Sequence, residues 1–431
     1  MVLGFVGTML LTRVAEPRAV ASYMLLIQST ITVGLLLQLG LGQATLRFAP
    51  VSRGEGGRAA TALLRRRLLG LQVTIWLCAV PVLAFGWPTI ARRLDAPELA
   101  SATTFLIGIA VLASLGQLMD SYLRALRLYS VSAPLTQVAP RLLILLGFGV
   151  LWVVMPYGAP WEMLACVYSA SLVVTLLGYA AAMRRTTPAE ESEPRTALLP
   201  PNVRTILATT TAMGLRSAAS VLFISADLWV LSWARPHEEV AVYGVASRLI
   251  QVMTALPGIA SFLIPQEFAI LHADGRKAEM ERLARQAATA MALVSAAAFL
   301  GLLLFARPLL GLAFGDVYAR GWIVVLLLAI GSFWDTASGT AGFALQMTGH
   351  HVRLLLLTAG AAALNVTLSV LLVPIWGGLG IALATTTTLI ALNLAMVRSA
   401  RRLVGIRTFV YWRPAQWRQV LAQLIRREKA V

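Results

Sequence analysis

Twelve apolar segments, most of them 20 to 27 residues long, recur along this chain at 2–12, 19–42, 68–91, 99–122, 134–156, 161–183, 206–232, 242–266, 287–306, 321–347, 352–375 and 378–397. At about 1.5 Å of rise per residue, such a segment crosses the ~30 Å hydrocarbon core of a bilayer as a helix. Lipid offers no hydrogen bonds to a bare backbone, so the spanning structure must be helical. Only 13% of residues are charged and mean hydropathy is +0.77, too little polar surface to solvate a globule. These features predict an all-α membrane protein with twelve transmembrane helices.

The segments come in two sets. Tyr23 and Phe48-Ala49 recur as Tyr243 and Phe268-Ala269 at an offset of 220 residues, and Pro17 is echoed by Pro236. A repeat of half the chain predicts two six-helix lobes, 1–183 and 206–397, with function at their seam. Between them, 184–205 is rich in Pro and Glu and reads as a linker, and 398–431 reads as a basic tail. Within the tail, Trp417, Val420, Leu421, Leu424 and Ile425 share a helical face, with Arg418, Arg426 and Arg427 supplying charge. That pattern predicts an amphipathic helix lying on anionic membrane lipids.

The net charge of +17 raises the question of a nucleic-acid partner. Its placement argues for another cause. One alternating set of loops, with the tail, holds 26 Lys or Arg, the opposite set holds seven, and three lie inside spans. By the positive-inside rule the rich set and both termini are cytoplasmic, and no nucleic acid is expected. The first span is short, with eleven residues before Thr12; its counterpart near Ile206 maps about fourteen positions before Met1. An internal start codon or a fragment is the expectation drawn from this.

Cys78 and Cys166 fall inside spans and read as small packing residues. His237, His272, His350 and His351 sit in loops without ligand spacing, so no metal or other cofactor is assigned. No nucleophile constellation, phosphate loop or nucleotide motif suggests an enzyme.

Ionisable groups at membrane depth cost about 2.5 to 3.5 kcal/mol each on insertion scales and so mark cavities or partners. Depth along the sequence suggests three pairs: Asp120 with Arg141, Asp227 with Arg248, and Arg216 with Asp335. Arg216, in mid-span, is the leading candidate to grip a phosphate, because a guanidinium holds phosphate oxygens in a fork. Asp335, with Asp227, is a candidate for a coupling H+ or Na+. Asn365, and Gln28 or Thr32, are candidate donors to sugar hydroxyls, with interhelical bonding as the alternative. Gly34, Gly40, Pro81, Pro257, Gly258 and Pro265 are candidate helix breakers.

These residues also carry a resemblance. Thr12-Arg13, Glu16-Pro17, Tyr23 and Gly40-Leu-Gly42-Gln-Ala-Thr-Leu-Arg47-Phe resemble the opening of the bacterial polysaccharide exporters, the oligosaccharide flippases. Val242-Tyr-Gly-Val-Ala-Ser-Arg248-Leu resembles the start of their eighth span. Leu345-Gln-Met-Thr-Gly-His350, Asn365 and the run from Pro374 to Thr385 are similar to their last two spans. The resemblance implies the fold of the multidrug and oligosaccharidyl-lipid flippase superfamily, two lobes around a central cavity. It implies as substrate an undecaprenyl-diphosphate-linked oligosaccharide, flipped across the bacterial plasma membrane by ion-coupled alternating access. Glycan polymerase and chain-length regulator proteins are the implied partners. Arg216 fits the cationic role in that cavity, with Arg248 and Arg141 as further candidates. Two alternatives stay open: a cation-coupled multidrug extruder of the same superfamily, and a membrane-embedded glycan-assembly enzyme or scaffold.

Overall fold

The structure, a computed structural model, describes residues 2–93, 100–126, 128–185, 225–253, 264–265, 267–268, 270–272 and 274–411. Arg216, most of the linker, Pro257, Gly258 and the tail beyond Tyr411 lie outside the described residues. So do the expectations placed on them.

The described chain is helical wherever the sequence is continuously apolar. We label the helices α1 (Val2–Val14), α2 (Pro17–Gln38), α3 (Leu41–Arg93), α4 (Thr103–Ala125), α5 (Tyr129–Val154) and α6 (Trp161–Arg185). Then follow α7 (225–234), α8 (His237–Met253), α9 (Lys277–Phe314), α10 (Trp322–Ser338 and Ala341–Met347), α11 (His351–Trp376) and α12 (Gly378–Ser399). Among the described residues, eight helices are long and apolar enough to span a membrane, or nine with the two pieces of α10 taken together. Side chains such as Phe85, Leu77 and Leu312 are exposed on these helices. In water such faces would be costly, and in lipid they are at home. Cys78 and Cys166 are exposed too, which corrects their reading as packing residues.

The helical run of α3 is not one straight rod. A straight helix would place Gln72 about 45 Å from Leu41, yet Gln72 Nε2 donates to Leu37 O at 2.9 Å, just before α3 begins. Its membrane-crossing part is Leu63–Thr89.

The chain forms two compact units, Val6–Trp233 and Met1–Phe5 with Ala234–Val431. In the first, α4 is central and packs on α2, α3 and α6. Leu118 of α4 meets Leu41, Ala44, Leu64 and Leu68 in its core. In the second, α10 is central and packs on α8, α9 and α12, while α11 lies on α12. The repeat anchors sit alike in their helices: Pro17 opens α2, Pro236 directly precedes α8, and both Tyr23 and Tyr243 are buried. Phe268 is buried in the second unit's core.

Two breaks shape the second unit. Between α11 and α12, Gly377 takes φ +55°, and a Cβ there would run into the Glu239 carboxylate. Arg235 of the preceding turn donates to the last carbonyls of α11, to Val373 O at 3.1 Å and Pro374 O at 2.8 Å. Glu239 accepts from Gly378 N at 2.7 Å, at the start of α12. Cation at a helix C-terminus and anion at an N-terminus both oppose the unpaired ends of the helix dipoles. The second break falls inside the segment expected as one span, 321–347. There Gly339, at φ +77°, ends the first piece of α10 and the second leaves at 47°.

Candidate functional site

The polar residues inside the second unit converge where α10 breaks. Asp335 lies in the last turn before Gly339, on the side facing α12, and Asn393 of α12 donates its Nδ2 to Asp335 Oδ1 at 2.9 Å. The same amide donates to Leu389 O at 3.0 Å. Ser338 Oγ stands 2.8 Å from Asn393 Oδ1 and 2.7 Å from the Asp335 carbonyl, with one proton to offer between them. The helices come this close because Gly331 has no side chain: a Cβ there would sit 3.2 Å from Thr386 Cα. Thr386 Oγ1 in turn donates to Leu327 O at 2.7 Å. A carboxylate and a hydroxyl of one helical turn thus meet an amide oxygen of the neighbouring helix. These are hard oxygen donors, suited to a proton or a small cation.

Asn365 of α11 is fully buried, and its Oδ1 accepts from Ser369 at 3.2 Å and Thr385 of α12 at 3.5 Å. It joins α11 to α12. Arg248 of α8 is half-buried, 3.4 Å from Gln251 Oε1.

In the first unit a second buried acid sits in the central helix. Asp120 is 5% exposed and its Oδ1 accepts from Ser132, Thr136 and Tyr179, while Arg124 lies 2.7 Å from Oδ2. Its ion-pair partner is therefore Arg124, one turn along α4, and not Arg141. Arg141 instead donates to Gln137 O at 3.0 Å, in the π-helical turn Pro134–Val138 of α5. Pairing by sequence depth failed here because the i,i+4 arginine reaches the carboxylate from its own helix, while Arg141 on the next helix turns back to Gln137.

Still in this unit, Gln28 and Thr32 of α2 reach Ser225 of α7 at 2.7 and 2.8 Å, and Trp229 Nε1 donates to Ser29 at 3.0 Å. Asp227 is buried on the same helix. Gln28 and Thr32 therefore bond helix to helix. Asn393, Ser338, Ser132, Thr136 and Tyr179 were not anticipated; only the Asp120–Arg124 spacing offered a local signal.

No curated protein sequence matches the chain. Among solved structures, an inward-facing multidrug resistance MATE family transporter of the MOP superfamily superposes with TM-score 0.78 at 16% identity, covering 94% of each chain. The lipid II flippase MurJ, in an inward closed conformation, gives TM-score 0.72 at 13% identity over 93% of this chain and 85% of its own. A MOP superfamily transporter from Pyrococcus furiosus, described by the reverse polarity of its binding pocket, gives 0.64 at 17% identity over 94% and 92%. At these identities the likeness fixes the fold, which is MATE-like, in a multi-pass membrane protein. A family model described as Polysaccharide biosynthesis protein matches residues 1–265, more than half of the chain, and the chain therefore belongs to the polysaccharide biosynthesis protein family.

Proposed function

We propose that the protein moves a polyprenyl-diphosphate-linked oligosaccharide from the inner to the outer leaflet of the bacterial plasma membrane, by alternating access coupled to H+ or Na+. The observation that carries this reading is the family match, on a chain with a transporter fold. Diphosphate and sugar pay a prohibitive desolvation cost in hydrocarbon, whereas a polyprenyl tail remains in lipid throughout. A protein for this task needs a polar path for the headgroup and makes or breaks no bond.

In this reading Arg216 grips the diphosphate, Arg248 and Arg141 add cationic charge, and Asn365 serves sugar hydroxyls. Asp335, beside Asn393 and Ser338, takes the coupling ion, with Asp227 as a second candidate. Both termini lie in the cytoplasm, the side of the 26 basic loop and tail residues. Glycan polymerase and chain-length regulator proteins act on the product.

Depleting the protein in its own cell tests this reading. Lipid-linked oligosaccharide should accumulate on the inner leaflet while surface polysaccharide falls, and an unchanged leaflet distribution would contradict the reading. A cation-coupled drug extruder is the second reading, favoured by the acidic character of the Asp335 site. It predicts instead that depletion sensitises cells to cationic dyes and leaves the glycan intermediate unmoved.

A further inference from the structure

Beyond α12 the chain turns through a π-helical stretch, Ala400–Val404, leaves it at Gly405 (φ +81°) and continues without helix through residues 406–411. The sequence pattern here has period two: Val404, Ile406, Thr408 and Val410 are buried, while Gly405 and Arg407 are exposed. No strand lies beside this segment among the described residues. Its N–H groups are met instead by helices of the second unit. Arg407 N donates to Glu281 Oε2 at 3.1 Å and Tyr411 N to Thr289 Oγ1 at 3.2 Å, both on α9. Val410 N donates to Ala337 O of α10 at 3.2 Å.

The Ala337 bond occupies a particular place. In an unbroken helix that carbonyl would accept from the N–H of residue 341. The break removes that donor, since Gly339 N turns back to Thr336 O and Ala341 starts a new piece. Val410 supplies the replacement. The strap also lies over the break itself: a Cβ on Gly339 would meet the Thr408 carbonyl and come within 2.7 Å of Ala288 Cβ. The Arg285 guanidinium stacks 4.2 Å from the Tyr411 ring centroid, and Phe409 packs on Trp334.

Two features bear on release of this segment. Around it, Arg285 Nε, Trp334 Nε1, Thr340 Oγ1 and Thr408 Oγ1 are buried without hydrogen-bond partners, so release of the strap lets water reach groups now left unmet. Further, Ala337 lies between Asp335 and Ser338 in one turn, so the strap is bonded to the turn that holds the acid.

We propose that residues 405–411 form a reversible latch on the broken span. Docked, the strap completes the hydrogen bonding of the bend and fixes the turn that holds Asp335 against Asn393; released, it frees that turn to rearrange. Latch docking and the state of the Asp335 site are then linked, each shifting the other by the same factor. The inference holds whatever the cargo.

The test uses full-length protein in lipid vesicles, with Cys78→Ser and Cys166→Ser as background and Val410→Cys as reporter. Labelling by a water-soluble maleimide reads release of the strap, and Arg407→Cys serves as the exposed standard. Val410→Cys should label at least tenfold more slowly than Arg407→Cys. Adding Gly339→Ala, which drives a methyl into the Thr408 carbonyl, should remove most of that difference. Adding Asp335→Asn should change the Val410→Cys rate at least fivefold. Should Asp335→Asn not yield monodisperse protein, Ser338→Ala makes the same comparison. Equal labelling of Val410→Cys and Arg407→Cys would overturn docking, and a rate indifferent to Asp335→Asn and Ser338→Ala would overturn the linkage.

Discussion

Asp120 illustrates how much a single buried carboxylate organises. It accepts from Ser132, Thr136 and Tyr179 and pairs with Arg124, so one side chain ties α4 to α5 and α6. Asp120→Ala would strand the Ser132 hydroxyl and leave unpaired an Arg124 side chain that is 40% exposed, while Thr136 and Tyr179 keep each other. The expected loss is about 2 to 3 kcal/mol, below that of a fully buried pair because water reaches Arg124. A thermal unfolding midpoint clearly lowered in detergent checks this, and a wild-type midpoint contradicts it. Thr136→Val, removing one donor, is expected to cost about 1 kcal/mol. For Arg216 the prediction is functional: Arg216→Ala loses transport, while Arg216→Lys keeps part of it because charge survives without the fork. Full transport by Arg216→Ala would leave that residue only a static role. At this scale the sequence revealed which groups are deep but not their partners. Depth is one coordinate, and Asn393, 58 residues beyond Asp335, meets it only through the packing of α10 on α12.

Among the elements, the helices were legible and their ends were not. Hydropathy alone locates a span, because lipid imposes the same demand on each segment whatever its neighbours. Breaks depend on single residues. Gly40, at φ +78°, does separate α2 from α3, whereas Gly34 stays inside α2 and lies against α4, 3.6 Å from Ala110 O to a Cβ built there. Pro81 lies within helical α3. At Gly339, where the two pieces of α10 meet at 47°, an adjacent Ser-Gly pair was the available signal. The strap had a signal too, the alternation from Val404 to Val410, masked by the basic charge of the surrounding segment. The run from Pro374 to Thr385, first noticed as a resemblance, now has a physical reason: Gly377 and Gly378 make the turn whose two helix ends Arg235 and Glu239 cap. Glu239→Ala should therefore destabilise by about 1 to 2 kcal/mol, with Glu239→Gln retaining part of the capping. Equal unfolding midpoints for wild type and Glu239→Ala would refute the cap.

For the whole molecule, one helix is central in each unit, α4 in the first and α10 in the second. The two differ chemically. Adding the offset of 220 to Asp120 gives position 340, next to the Gly339 break. Where the first unit has an acid tied down by four neighbours, the second has a bend, with its own acid one turn earlier held by an amide. No periodicity of the sequence expresses this inequality. Translocation of a lipid-linked glycan is open to a direct measurement, which reconstitutes the full-length protein in vesicles carrying a fluorescent polyprenyl-diphosphate oligosaccharide and adds a membrane-impermeant quencher. Label protected in the inner leaflet should be lost much faster than in protein-free vesicles, and more slowly again with Arg216→Ala; loss no faster than in protein-free vesicles would rule out translocation.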